Sequence, residues 1–376
     1  VEVTKKEVVE RLRGGKIGFS NIYRGDRPRS RLWLVIDNVV VEEGCVKDSE
    51  MQAKRVWVDP EKGDDIWNGS EAQPVKTLTR ALALALPGDE VVVRQGKYGL
   101  VTFAAGKVYG KKDRPLVVKA DRPLSVLVSG INTKNAQYVV IEGFEVVDNG
   151  VVLEGAGNEV KGCFIHDLPG RIGVAVKGEG NRVRGNRILR VGFGMIVEGK
   201  GHLVEGNEIG ELDAGDSGQV DYVRYSGEGI TFRRNHFHGK REGGEARGDC
   251  LRACAVATQT ARKIVIEGNL CEGGYVTAIQ LPGRVKDGVP TIEDVVVRDN
   301  VIANGSVGTF ATQVSELVVE HNTFINLKSD TRQPLSFATC TGKVVRNIFW
   351  NVIPGRVSTK DRVFGGLMEV EGNVVF

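Results

Sequence analysis

Residues 181–191 read NRVRGNRILRV, and six other segments follow the same template. They are NEVKGCFIHDL (158–168), HLVEGNEIGEL (202–212), ITFRRNHFHGK (230–240), IVIEGNLCEGG (264–274), VVVRDNVIANG (295–305) and LVVEHNTFINL (317–327). The shared order is apolar, any, apolar, charged, any, Asn, any, apolar. The Asn is Asn186, Asn207, Asn235, Asn269, Asn300 and Asn322, with Cys163 in its place in the earliest copy and Asn347 in a compressed copy, KVVRNIFWNV (343–352). Alternation of apolar and polar residues is the period of a strand. An Asn between two short strands tolerates left-handed backbone, and its amide can bond the turn. Stacked amides can also bond one another from copy to copy.

Each repeat holds too little apolar surface to fold alone. Stacking coil on coil, about 4.8 Å apart, buries one continuous core. Composition agrees: 49 glycines in 376 residues is nearly twice the usual share of roughly 7% and suits a fold with many tight turns. These segments resemble those of right-handed parallel β-helix proteins of the pectate-lyase-like superfamily, over roughly residues 56–376. The resemblance implies an all-β solenoid whose relatives include lyases, hydrolases, epimerases, phage tailspikes and non-catalytic adhesins. The stretch WVDPEKGDDIWNGSEAQPVKTLTRALALALPGDEVVVRQGKY (57–98) resembles their entry segment. Leu78, Leu82 and Ala85 share one face of a short helix there, Pro87-Gly88 stops it, and the helix is expected to cap the open first coil. Residues 1–50 fall outside the repeat and read as an extra cap or small module, leaving 51–376 as the β-helix domain. The Arg-Gly-Asp at 24–26 is short enough to arise by chance and is given no role.

Charge excludes some partners. With 51 basic and 48 acidic residues the net charge is +3, which argues against a nucleic-acid binder. No run of 18 apolar residues is present to span a membrane. The first residues, VEVTKKEVVERLRGG, have neither a signal-peptide pattern nor an initiator Met, so a leader is expected to have been removed or the chain trimmed. The six cysteines lack metal or disulfide spacing and read as buried small apolar residues.

Spacing between template Asn residues locates the candidate site. It runs 21, 28, 34, 31 and 22 residues from Asn186 to Asn322. Enlarged coils on a solenoid usually carry the binding face. In those coils the first strands are DYVRYS, DCLRAC and TAIQLP, which place Asp221 and Arg224, Asp249 and Arg252, and Thr277 and Gln280 at successive 28-residue steps. With Val223, Tyr225, Leu251, Ala253, Ile279 and Leu281 inward, the outward columns are Tyr222, Cys250, Ala278 and Arg224, Arg252, Gln280. Asp221 and Asp249 stand at the strand mouths. The arriving loops add Asp213 and Asp216, then Lys240, Arg241, Glu242, Glu245 and Arg247.

Two readings stay open. The Asp–Arg pairs read either as a surface ion ladder or as a site in which paired guanidinium groups hold an anionic sugar bidentately. Two such groups about 5 Å apart repel by roughly 3 kcal/mol at an effective dielectric near 20, so local aspartates are needed in either case. In the second reading the candidate catalytic residues are Asp221, Arg224, Asp249, Arg252 and Lys240. Asp216, Tyr222, Glu245, Arg247 and Gln280 then bind substrate. Arg is too basic to serve as a base, so Lys240 is the reserve. Asp213, Asp216 and Asp221 could offer oxygens to Ca²⁺, although their spacing matches no ligand loop. The expected activity is a polysaccharide lyase cleaving an acidic glycan by β-elimination. The alternatives are a glycoside hydrolase with Asp221 and Asp249 as its carboxylate pair, or a non-catalytic glycan-binding or tailspike-like protein. Against the hydrolase, the polygalacturonase signature is missing. The histidines are expected to be turn-bonded or exposed. A secreted monomer is expected, with a tailspike-like trimer as the alternative.

Overall fold

The computed structural model describes residues 53–215, 220–239, 248–254, 259–327, 335–352 and 368–376, and the backbone of two short strands near the start. The chain divides into Val1–Gln52 and Ala53–Phe376. In the first unit Leu34–Ile36 pairs antiparallel with Val39–Val41. The second unit is a right-handed parallel β-helix with three faces.

Strand pairing defines the faces. Face one stacks Val151–Leu153 and segments of the next coils up to Val223–Glu228, Leu251–Ala253, Thr277–Pro282, Val307–Thr312 and Leu335–Ala338. Face two stacks the strands before the template Asn, among them Arg182–Arg184, Leu203–Glu205 and Thr231–Arg233. Face three stacks those after it, among them Glu208–Gly210, His236–His238 and Leu270–Glu272. Every one of these pairings is parallel, so each coil covers the apolar side of the last and the interior fills with Val, Ile, Leu and Phe at near-zero exposure.

The template Asn side chains form a buried ladder inside the turn between faces two and three. Asn235 Oδ1 accepts from both the backbone N–H and the side-chain amide of Asn207, each at 3.0 Å. The Asn235 amide in turn donates to Val204 O and Asn269 Oδ1. The same geometry runs from Asn186 to Asn347 and ends on Asn373. That last rung went unread in the sequence, although EGNVV (371–375) carries the signal. Cys163 occupies the rung before Asn186, which takes its N–H at 2.9 Å.

A second, shorter ladder joins buried Asn158, Asn181 and His202. Asn181 Oδ1 accepts the Asn158 N–H, and His202 Nδ1 accepts the Asn181 N–H. His202 Nε2 faces Glu198 O at 3.0 Å, so the ring is a neutral donor–acceptor; burial pushes its pKa down accordingly. This histidine is turn-bonded, as the sequence suggests.

The helix spans Leu78–Leu84, begins at Thr77, whose hydroxyl accepts the Arg80 N–H, and packs on the first two strands of face two. Leu78, Ala81 and Leu82 are its buried side, with Ala85 buried at its end. At the corner from face one to face two the backbones nearly touch. A Cβ on Gly227 (φ +132°) would sit 1.9 Å from Gly199 O, so no larger residue fits.

Candidate functional site

Face one carries the predicted column in register: Arg224 pairs with Arg252, and Arg252 with Gln280. Phe310 continues it on the next coil. Pleating explains the placement, since Val223 and Tyr225, and Leu251 and Ala253, point inward and are buried. Arg224 and Arg252 are half-exposed, with side-chain exposures of 28% and 40%.

The two aspartates lie differently from the expectation. They sit at the strand starts, but Asp221 is 2% exposed and Asp249 5% exposed. Asp221 Oδ1 accepts the Asp249 N–H at 2.8 Å, and Asp249 Oδ1 accepts the Thr277 N–H at 3.1 Å. Together they make a third ladder, one coil per rung. Their other oxygens face outward, Asp221 Oδ2 to Arg224 Nε and Asp249 Oδ2 to Arg252 Nη1 at 3.5 Å. Each aspartate thus stitches two coils and orients one guanidinium. Neither is a free carboxylate, which removes Asp221 and Asp249 as an unencumbered acid–base pair. The repeat of Asp-x-x-Arg therefore has a scaffold cause and presents a cationic column as well.

Asp249 is the perturbed group here. Burial, and then the Asp221 charge, push its pKa up to about 6, opposed by Arg252. Perturbed carboxyls gather at functional sites, though structural ion networks produce them too.

Tyr222 is a correction. It was expected to face outward as a sugar platform, yet it is 1% exposed. Residues ahead of Val223 are still turning the corner, so strict alternation fails there. The ring packs edge-on against Phe237, 6.0 Å between centroids, and the hydroxyl donates to Gly239 O at 2.8 Å. Cys250 and Ala278, its column mates, are likewise fully buried. The aromatic that does serve the site is Phe193, over whose ring the Arg224 guanidinium lies at 4.7 Å. Its signal was present in the sequence, because Phe193 precedes Asp221 by the same 28 residues that separate Asp221 from Asp249.

Gln280 fits its expected place. Its Oε1 is buried and has no hydrogen-bond partner among the described residues. Such an atom is costly unless something donates to it.

Asp216, Lys240, Glu245 and Arg247 fall outside the described residues, as do Arg241 and Glu242. Asp213 is described, and its Oδ1 accepts the Gly215 N–H while its carbonyl accepts the Gly170 N–H. Asp213 and Asp221 spend oxygens on these bonds within the fold, and Asp216, the third of the set, lies outside the described residues. No group of three or more His, Cys, Asp or Glu among the described residues could hold a metal ion. Of the described free cysteines, Cys163, Cys250, Cys271 and Cys340 are buried, as their apolar reading requires, and Cys254 is only half-buried.

Comparison with known proteins agrees on architecture. A family described as right handed beta helix region matches residues 172–333, and one described as protein of unknown function matches 61–107. No curated protein matches the sequence. The solved complex of XylC with xylose aligns at TM-score 0.50 and 9% identity, over 85% of this chain and 86% of that one. Pectate lyase Pel9A aligns at 0.48 and 17%, over 83% and 80%. A mannuronic acid specific polysaccharide family 6 lyase from human gut microbiota aligns at 0.43 and 16%, over 77% of each chain. At such identities the likeness is one of fold.

Proposed function

We propose that this chain, a right-handed parallel β-helix of the pectate-lyase-like kind, acts on an acidic polysaccharide lying across the outside of face one. The reaction we assign is β-elimination at a uronate. The observation that carries the reading is the in-register column of Arg224, Arg252 and Gln280 on the outside of face one, with both guanidinium groups half-exposed. A uronate carboxylate would bridge the two guanidinium groups. Arg neutralises the carboxylate, which makes the neighbouring C5 proton acidic enough to remove. A base takes that proton, the C5 electron pair forms the C4–C5 double bond, and the C4–O bond to the leaving sugar breaks as the departing oxygen takes a proton from water. Arg stays protonated throughout, so the base has to come from another residue. Lys240, nine residues before Asp249 in the chain, is our candidate. Asp221 and Asp249 act as positioning residues, since each holds its arginine from a buried, backbone-bonded carboxylate. A hydrolase is less well supported because these two carboxylates are already engaged. A substrate of this class places the protein outside the cell, where we expect it to act as a monomer.

Incubation with polygalacturonate, alginate and glycosaminoglycans tests the reading, with absorbance of new unsaturated uronate ends as the signal. Reducing ends without that absorbance would mean hydrolysis. Retained binding with neither signal would mean a non-catalytic glycan binder. Arg252→Ala is expected to abolish turnover and the acidic-glycan binding that belongs to face one, while leaving the melting temperature nearly unchanged, because its side chain is half-exposed and its ion pair long. A large melting shift with intact binding would support the scaffold role alone. EDTA is expected to leave turnover intact; complete loss that added Ca²⁺ restores would return a metal to the mechanism.

A further inference from the structure

Where face one turns into face two, three successive coils place glycine at the same point. Gly157, Gly180 and Gly201 have φ of 65°, 63° and 62°. Left-handed backbone explains the residue type. Its consequence is a corner with no side chains. A Cβ on Gly180 would meet nothing within 4 Å, and one on Gly201 only the Gly180 nitrogen at 4.0 Å. Over Gly157 the space is taken by the Tyr138 ring, 2.7 Å from such an atom. This bare floor belongs to a cavity of about 560 Å³ whose rim includes Lys112, Tyr138, Glu159 and Arg182. That volume lies within the roughly 300–1,000 Å³ range of ligand sites.

The rim charges differ from the rest of face two. Elsewhere on that face cations are paired outward, as in Lys161–Glu142, Arg184–Glu205, Arg233–Glu205 and Arg298–Glu267. Arg182 and Lys112 have no side-chain partner among the described residues. Glu159 is 9% exposed, lines the cavity, and meets Arg184 only through Oε1 at 3.5 Å. The rim thus combines cations, carboxylate acceptors and one aromatic ring around a floor of exposed backbone. Sugar hydroxyls need the acceptors, ring C–H faces suit Tyr138, and a uronate carboxylate needs the cations. Coils about 4.8 Å apart also step at close to the length of one pyranose unit.

We infer that this glycine-floored corner is a second glycan-binding site, taking a short stretch of an acidic oligosaccharide along the stacking direction. Arg182 and Lys112, on coils three apart, each hold a carboxylate, Tyr138 adds its ring, and Glu159 accepts hydrogen bonds from hydroxyls. The site shares only its ligand class with the proposed function, and it lies on earlier coils than Arg224. It therefore stands or falls separately from the lyase reading.

The test is calorimetric titration with galacturonate and mannuronate tetrasaccharides in an Arg224→Ala/Arg252→Ala background, which removes the face-one column. One binding event is expected to remain for at least one of the two. Adding Arg182→Ala should weaken it about tenfold, the equivalent of one charge-assisted contact. Gly180→Asn, a residue that tolerates this backbone, should fill the floor and abolish it. A xylose tetrasaccharide, lacking carboxylates, should bind about tenfold more weakly than the acidic sugar. Should Gly180→Asn lower the melting temperature, the exposed Arg182 variant decides alone. No binding in the background, binding indifferent to Arg182→Ala, or equal affinity for the neutral sugar would each overturn the proposal. None of those outcomes touches the reading of face one.

Discussion

Asn235→Ala is expected to cost about 3–5 kcal/mol, the largest single-residue effect on stability predicted here, because it strands several buried groups at once. The Asn207 N–H and side-chain amide both donate to Asn235 Oδ1, and Val204 O accepts from the Asn235 amide. Each unpaired buried donor or acceptor costs roughly 1–3 kcal/mol. Denaturant midpoints measure the total, and hydrogen exchange at Asn207 localises it, since a solenoid can open a few coils without unfolding the rest. Asn326 supplies the control. It belongs to an exposed amide row with Asn304 and Asn351, and its amide donates to Asn304 Oδ1 at 3.1 Å. Water replaces those bonds, so Asn326→Ala should cost under about 1 kcal/mol. Equal effects at the two positions would mean the buried ladder is not what ties coil to coil.

The second large effect is a pH dependence at Asp249. Its carboxyl is pushed up to about 6 in the folded chain, against about 3.9 unfolded. Between those values the folded state binds more protons than the unfolded one. Protonated Asp249 therefore favours folding below about pH 4, and that contribution is lost as pH rises through 6. A displacement of about two pH units corresponds to roughly 3 kcal/mol. Asp249→Asn keeps an oxygen for the Thr277 N–H but cannot ionise. Relative to wild type, the variant should gain stability between pH 4 and 7 and plateau above. Only this difference is diagnostic, because Glu90, Glu205 and Glu208 are held below the usual range by cationic partners and contribute the opposite slope in acid. A difference curve that stays flat from pH 4 to 7 would show that Asp249 ionises normally.

The same residue links stability to the proposed site. When Asp249 is charged it pairs with Arg252 across 3.5 Å; when it is neutral, Arg252 is left with less opposing charge. Acidic-glycan binding is thus expected to strengthen as pH falls from 7 toward 5, the range in which uronates remain ionised. The Asp249→Asn variant should lose most of that dependence.

Several features were legible in the chain because they repeat. A period that returns Asn to one point of every coil, with apolar residues on both sides, leaves a stacked solenoid as the consistent solution. The helix over 78–84 was equally readable from Thr77, its apolar face and Pro87-Gly88. So was the Arg224–Arg252–Gln280 column, because equal 28-residue steps put equal positions in register. Tyr222 escaped that logic. The two-residue alternation holds only inside a strand, and Tyr222 stands one residue before it, where the turn directs the ring inward.

The division follows from what is local and what is not. Sequence by itself determined the coil period, the three-strand repeat, the amide ladder and the enlarged coils, since each is written as a spacing along one chain. Only the tertiary structure decided that Asp221 and Asp249 are buried rungs rather than free carboxylates, because their partners are backbone groups one coil away. It also showed that the Phe193 ring lies against the Arg224 guanidinium, where the 28-residue step gives only the coil position, and it alone supplied the corner cavity beside Arg182. Those arise where residues about 20 or more apart in the chain meet across stacked coils, and no residue's own neighbours reveal what the adjacent coil will bring against it.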